Sequence, residues 1–139
     1  MAVRVGVEGL VDGVELRGVV LVQPYFSGVE PIGDEVAGKA AGFTYPTSTG
    51  GSDDPLMNPA KDPNLGRLGC GRVLVCVAEK DGLKDRGLYY SEVLLENSEW
   101  EGRVEVMETK GEDHIFHLLH PTCDNALDMM SCICTFLDQ

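Results

Sequence analysis

The hydrophobic residues of this chain gather into two unbroken runs, one alternating run and two helical stripes. The first run, Leu16-Arg-Gly-Val-Val-Leu-Val-Gln23, is rich in β-branched residues and closed by Pro24, which predicts a buried strand. The second, Arg72-Val-Leu-Val-Cys-Val-Ala78, is apolar throughout after Arg72 and predicts a strand covered on both faces, as in a parallel sheet. Arg103-Val-Glu-Val-Met-Glu108 alternates, which suits a strand at a sheet edge. Residues 84–97 predict a helix carrying Leu88, Tyr89, Val93 and Leu94 at mixed three- and four-residue spacings. A last helix presents Ala126, Met129, Met130, Ile133 and Leu137 as a core-facing stripe, with the two methionines as packing residues. Strand, helix, strand, helix makes residues 71–139 a βαβα unit, and the fold class α/β. The crossover from residue 78 to residue 103 is long enough to join parallel strands, with the right-handed sense such crossovers take.

The first half is less legible. Residues 2–7 suit the end of a short helix or the start of a strand equally. Residues 27–70 are rich in Gly and Pro, with turn chemistry throughout Thr47-Ser-Thr-Gly-Gly-Ser-Asp-Asp-Pro55, and read as a long loop. A short helix is expected within it at residues 34–41. Irregular connections of this length are usually functional or else linkers.

Composition narrows the function classes. The chain has 139 residues, enough for one domain, and 11 basic against 23 acidic residues give a formal charge of −12. Phosphate backbones and anionic membranes repel such a chain, so neither nucleic acid nor membrane is expected as a partner. No apolar run approaches a membrane span, and the N-terminus lacks the apolar core of a signal peptide. The five cysteines, Cys70, Cys76, Cys123, Cys132 and Cys134, form no CxxC pair and show no metal spacing. Buried reduced thiols in a cytoplasmic protein are the favoured reading, rather than a disulfide framework.

Ligands of open parallel sheets bind at the carboxyl ends of the strands. The loop leaving the second strand is Glu79-Lys-Asp-Gly82, and the loop leaving the third is Thr109-Lys-Gly-Glu-Asp-His114. Parallel strands deliver both loops to one edge, so Asp81 and His114 can meet. An Asp orienting a His is two thirds of an acyl-transfer triad, which α/β-type hydrolases order as Ser, Asp, His. From pattern alone, His114 also fits an ordinary surface or core histidine, and Asp81 a turn or cap residue. Glu79 competes for the acid's place, and so does Asp85, which lies one turn into the helix and is expected to point away. His114, His117 and His120 fan too widely on a helix for the i, i+4 geometry of zinc sites, so no metal and no cofactor are expected. Asp53 and Asp54 read as a solvated turn before Pro55, and Arg86, Asp85 and Glu92 as helix-surface charges. The nucleophile is not visible: G-x-S-x-G does not occur, and Ser27, Ser48 and Ser52 lack the strand–turn–helix setting.

Two strings are more specific. Leu74-Val-Cys-Val-Ala-Glu-Lys-Asp-Gly-Leu-Lys-Asp-Arg-Gly87 and Gly111-Glu-Asp-His-Ile-Phe-His-Leu118 closely resemble the plant carboxylesterases. These belong to the hormone-sensitive-lipase-like branch of the α/β-hydrolase fold, which includes the gibberellin receptor. Val22-Gln-Pro-Tyr-Phe-Ser-Gly28, Pro31-Ile-Gly33 and Gly51-Ser-Asp-Asp-Pro-Leu-Met-Asn-Pro59 resemble the family's middle region, so the likeness covers nearly the whole chain. It implies that Asp81 is the triad acid, within D-x-L-x-D-R-G, and His114 the triad base, within G-E-D-H-x-F.

The family's His-Gly-Gly oxyanion segment and Gly-Asp-Ser-Ala-Gly elbow have no counterpart here, and Met1-Ala-Val-Arg-Val-Gly6 resembles the tail of the helix after the elbow. Residues 1–139 therefore resemble a partial α/β-hydrolase domain, the carboxyl-terminal half, with about three mostly parallel strands and a lid-like stretch at 27–70. The stretch at 34–43 is shorter than the family's lid-helix region. The resemblance implies a serine carboxylesterase acting on a small-molecule ester and inactive as this segment alone. A hormone-receptor-like binder, an inactive truncated product and an isoflavanone-dehydratase-like lyase are the alternatives; the receptor lacks the triad His that His114 supplies here. The first strand is expected to leave an apolar edge open to self-association.

Overall fold

The computed structural model describes residues 2–9, 12–33, 35 and 50–139. Helix α1 (Ala2–Glu8) resolves the ambiguity at the N-terminus in favour of a helix. It is followed by β1 (Val19–Val22), β2 (Arg72–Ala78), α2 (Lys84–Glu96), β3 (Arg103–Thr109), α3 (Phe116–Leu119) and α4 (Asp124–Leu137). The strands form one parallel sheet in the order β1-β2-β3, with Val19 opposite Val73 and Val73 opposite Val104. The expected α/β class and parallel pairing are therefore present, with β3 at an edge.

Strand β2 explains the arrangement. Val73, Val75 and Val77 enter one core with Tyr90 and Leu94 of α2 and with Trp100, while Leu74, Cys76 and Ala78 enter a second core with Phe116, Ala126, Met129 and Phe136. A strand that buries both faces needs apolar side chains at every position, which is why its sequence runs without alternation. Its position between the other two strands also shields its hydrogen-bonding edges. Each fully buried Val or Leu contributes roughly 1.5–3 kcal/mol, so this strand is a substantial source of apolar stabilisation.

The α4 stripe differs from expectation. Ala126, Met129 and Phe136 are buried and Ile133 packs beside them, whereas Met130 is 54% exposed and Leu137 63% exposed. The register of the helix turns residues 126, 129, 133 and 136 inward, and Phe136 fills the place expected of Leu137. It is held there by the Arg72 guanidinium, which lies 4.7 Å over its ring. The thiols also differ: Cys70 and Cys76 are buried, Cys123 and Cys132 are partly so, and Cys134 is exposed on the outer side of α4; all five are free.

The stretch from Gly50 to Gly71 is irregular, as expected, but it packs rather than floats. Three short 3-10 turns (Gly51–Asp53, Pro59–Lys61 and Leu65–Arg67) fold it back so that Met57, Leu65, Leu68 and Cys70 are buried. Asp53 is a tie in this region rather than a merely solvated turn. Its carboxylate accepts from the Asn58 side chain at 2.9 Å and from Val29 N–H at 3.1 Å, and those bonds hold it below its ordinary value. The helix expected at 34–41 lies outside the described residues, apart from Glu35. Among the described residues no helix is long and apolar enough to cross a membrane.

Candidate active site

The carboxyl ends of β2 and β3 place Asp81 and His114 together. The two loops are joined by backbone bonds from Glu79 N–H to Thr109 O at 3.0 Å and from Lys80 N–H to Glu112 O at 2.9 Å. Charged side chains reinforce the joint. Glu79 accepts from Gly111 N–H at 2.7 Å, and Lys80 donates to Gly111 O at 2.7 Å. The Gly111 bond first, and Lys110 after it, hold the Glu79 carboxyl below its usual range. Gly111 has φ +77, the left-handed turn that a glycine makes at least cost. Glu79, the competitor for the acid's role, is thus a surface strut.

Asp81 is buried, and its two oxygens have separate tasks. Oδ1 accepts from Leu83 N–H at 2.8 Å, fixing the carboxylate at the entry to α2. Oδ2 lies 2.8 Å from His114 Nδ1, 33 positions away. The contact joins the loop after β2 to the loop after β3. Because a carboxylate oxygen only accepts, the proton of the contact belongs to Nδ1. The imidazole is partly exposed and the carboxylate is covered, so the His end of the dyad faces outward.

The remaining candidates fall elsewhere. Asp85 lies against the backbone of Gly33, where an added Cβ would stand 2.0 Å from its Oδ2. Arg86 is not a helix-surface charge. It is buried, pairs with Glu35 at 2.7 Å through Nη2, and donates to Glu30 O. Glu92 is exposed, as expected. Ser27 gives its hydroxyl to Ser52 O at 3.3 Å, which makes it a tie between two loops; Ser48 lies outside the described residues. His120 is exposed, and His117 is half-buried with its Nδ1 covered. Burial first, and then the nearby His114, push His117 below its ordinary value. Among the described residues no group of three or more His, Cys, Asp or Glu side chains is arranged to hold a metal ion.

Gln23, which sequence reasoning passed over, also belongs to this edge. It follows β1 directly, is buried, and bonds the loop that carries His114. A carboxamide ending an otherwise apolar strand, on the edge where parallel sheets bind ligands, was the available signal.

A family model described as alpha/beta hydrolase fold matches residues 2–118. The chain is 46% identical over 135 residues to "Probable carboxylesterase 2" of Arabidopsis thaliana, covering 90% of this chain and 42% of that protein. It is 42% identical over 146 residues to a "2-hydroxyisoflavanone dehydratase" of Glycyrrhiza echinata, covering 98% of this chain and 44% of that one. In structure it matches carboxyl esterase 2 from Tuber melanosporum with a TM-score of 0.71 at 15% identity, over 95% of this chain and 46% of the esterase. The chain thus spans less than half the length of these proteins. The parallel three-stranded sheet, the family match over most of the chain and the plant relatives agree: this chain belongs to the α/β-hydrolase-fold family and is a relative of the plant carboxylesterases.

Proposed function

We propose that these residues are the carboxyl-terminal part of a serine carboxylesterase, and that Asp81 and His114 are two members of its triad. The single observation that carries this reading is the 2.8 Å contact between Asp81 Oδ2 and His114 Nδ1 at the ligand-binding edge of a parallel sheet. In the reaction His114 Nε2 takes the proton of a seryl hydroxyl as that oxygen attacks the ester carbonyl. It then returns the proton to the leaving alkoxide, and the same exchange with water releases the acid. Asp81 fixes the tautomer and stabilises the imidazolium. Neither step calls for a metal or cofactor. The substrate is a small ester, uncharged or weakly polar.

The test is hydrolysis of p-nitrophenyl butyrate by the native protein. His114→Ala is expected to lower kcat by roughly 10⁴ or more and Asp81→Asn by a comparable factor. Turnover unchanged in both variants overturns the reading. Residues 1–139 contain no G-x-S-x-G elbow, so this segment by itself is expected to be inactive. A His114-dependent rate from the pure segment would contradict that.

The dehydratase relative favours a second reading, a lyase on the same scaffold that keeps Asp81 and His114. The residue at the elbow separates the two, with Ser pointing to the esterase and Thr to the dehydratase. Free thiols throughout suit a reducing compartment, and we place the protein in the cytoplasm on that ground.

A further inference from the structure

Gln23 extends the β1–β2 pairing by one residue, its N–H donating to Cys76 O at 2.8 Å. Its side chain then reaches 90 and more positions along the chain. Oε1 accepts from Ile115 N–H at 2.6 Å, and Nε2 donates to Asp113 O at 3.3 Å. Asp113 and Ile115 flank His114. Both ends of one carboxamide therefore hold the peptide groups on either side of the imidazole. A carboxamide offers a donor and an acceptor in one plane at any pH.

Backbone strain converges on the same contact. Gln23 has φ +45 and Ile115 φ +56, the two non-glycine residues at positive φ among those described. For a β-branched residue such as Ile115 the left-handed region is costly, and such conformations persist where surrounding contacts over-determine them. The bonds from Glu79 and Lys80 fasten the third loop as far as Glu112. Beyond it, the local bonds are His114 N–H to Asp113 Oδ1 at 2.7 Å, Phe116 N–H to Asp113 O at 3.3 Å, and Leu118 and Leu119 N–H to Ile115 O; the ties from elsewhere in the chain are Gln23 and the packing of the buried Phe116 side chain.

We propose that Gln23 is the positioning residue of His114: by clamping the peptide groups of Asp113 and Ile115 it holds the imidazole against Asp81. The catalytic consequence rests on the triad reading above; the effect on the imidazole does not. Loss of the clamp lets the loop relax, and the Nδ1–Oδ2 contact opens. Misplacing a reacting group by about 1 Å can cost 100-fold in rate, so the effect falls on kcat rather than on substrate binding.

The experiment compares the native protein with Gln23→Met and Gln23→Glu. Methionine keeps the length and burial of the side chain but makes neither bond, whereas glutamate keeps an acceptor for Ile115 N–H and, when ionised, lacks the donor to Asp113 O. Three readouts are taken: the downfield Nδ1-proton resonance of His114, assigned with Asp81→Asn; kcat and KM for p-nitrophenyl butyrate; and amide protection in β2. Gln23→Met is expected to abolish or broaden the resonance and to lower kcat roughly 10- to 100-fold, with KM within about twofold and β2 protection intact. Gln23→Glu should recover part of the resonance and part of kcat. A resonance and kcat unchanged in Gln23→Met overturn the proposal. So does a kcat loss that accompanies collapsed β2 protection and is not relieved in Gln23→Glu, because that is a folding effect. If ester turnover in the parent is indifferent to His114→Ala, the esterase reading fails, and the resonance alone decides the role of Gln23.

Discussion

His117 shows how a single ring reports on its surroundings through pH. Its Nδ1 is buried without a partner among the described residues, and its ring stands edge-on to Phe116 at 5.6 Å between centroids. A second ring proton would find no acceptor there, and it would meet His114 nearby. Both effects favour the neutral ring in the fold, burial being the larger. The unfolded chain takes up that proton near pH ~6.5, whereas the folded chain does so only at lower pH. Between those two values the unfolded state binds more protons, so stability falls as the pH drops and is restored once the pH exceeds the ordinary histidine value. Asp53 and Glu79, both held below the ordinary carboxylate range by their hydrogen bonds, lose their contribution only at more acidic pH. The windows are therefore separable. We expect the melting temperature of a His117→Phe variant to fall less between pH 7.5 and 5 than that of the parent. Parallel curves for the two proteins would show that His117 does not titrate differently in the fold.

At the scale of elements, Asp81, Arg86 and Gly87 each have a mechanical explanation within the segment from Asp81 to Gly87. Asp81 starts α2 and orients His114. Arg86 sends its guanidinium back into the loop after β1, where it meets Glu35, and Gly28 makes room for it: a Cβ at Gly28 would stand 2.3 Å from Nη1. Gly87 lets α2 approach the sheet, since a Cβ there would lie 2.9 Å from Val77 Cγ1. Removing one partner of a buried ion pair strands the other charge, at about 3–5 kcal/mol in fully buried cases. Glu35 is 19% exposed and Arg86 retains the Glu30 carbonyl, so Glu35→Ala is expected to cost less, about 2–3 kcal/mol in urea unfolding. A loss under 0.5 kcal/mol, on the order of an exposed pair, would mean that water already solvates the guanidinium. Much of this level was legible from sequence, and for a physical reason. The strands announce themselves because β2 is covered on both faces, and the Asp81–His114 meeting follows from parallel strands delivering their loops to one edge. Arg86 was misread because an arginine in the first turn of a helix carries no local mark of burial; its partner lies 51 positions away. Gln23 was missed for the same reason, its side-chain partners being the backbone groups of a distant loop. The α4 stripe failed at Met130 and Leu137 because periodicity allows several registers, and the packing of Phe136 under Arg72 selects among them.

For the whole molecule, the two outer strands are protected very differently. Edge strands present unpaired backbone groups and are usually guarded by charge. Strand β3 carries Arg103, Glu105 and Glu108, which pair with one another and with Lys84 and Lys110, so its rim is ionic. Strand β1 is Val-Val-Leu-Val, half-buried at every position, and among the described residues its outer edge pairs with no other strand. Residues 1–139 expressed alone are therefore expected to associate through β1, eluting above 15.0 kDa with a fraction that rises with concentration. Exposed Leu118, Leu119 and Leu127 offer a rival surface on the helices. Light scattering on the parent and on a Leu118→Glu/Leu127→Glu variant distinguishes the two. Association that survives the double substitution belongs to the β1 edge, because those changes leave the strand untouched. Association abolished by it belongs to the helical face. A cooperative monomer of 15.0 kDa at all concentrations would mean that the β1 edge is already covered.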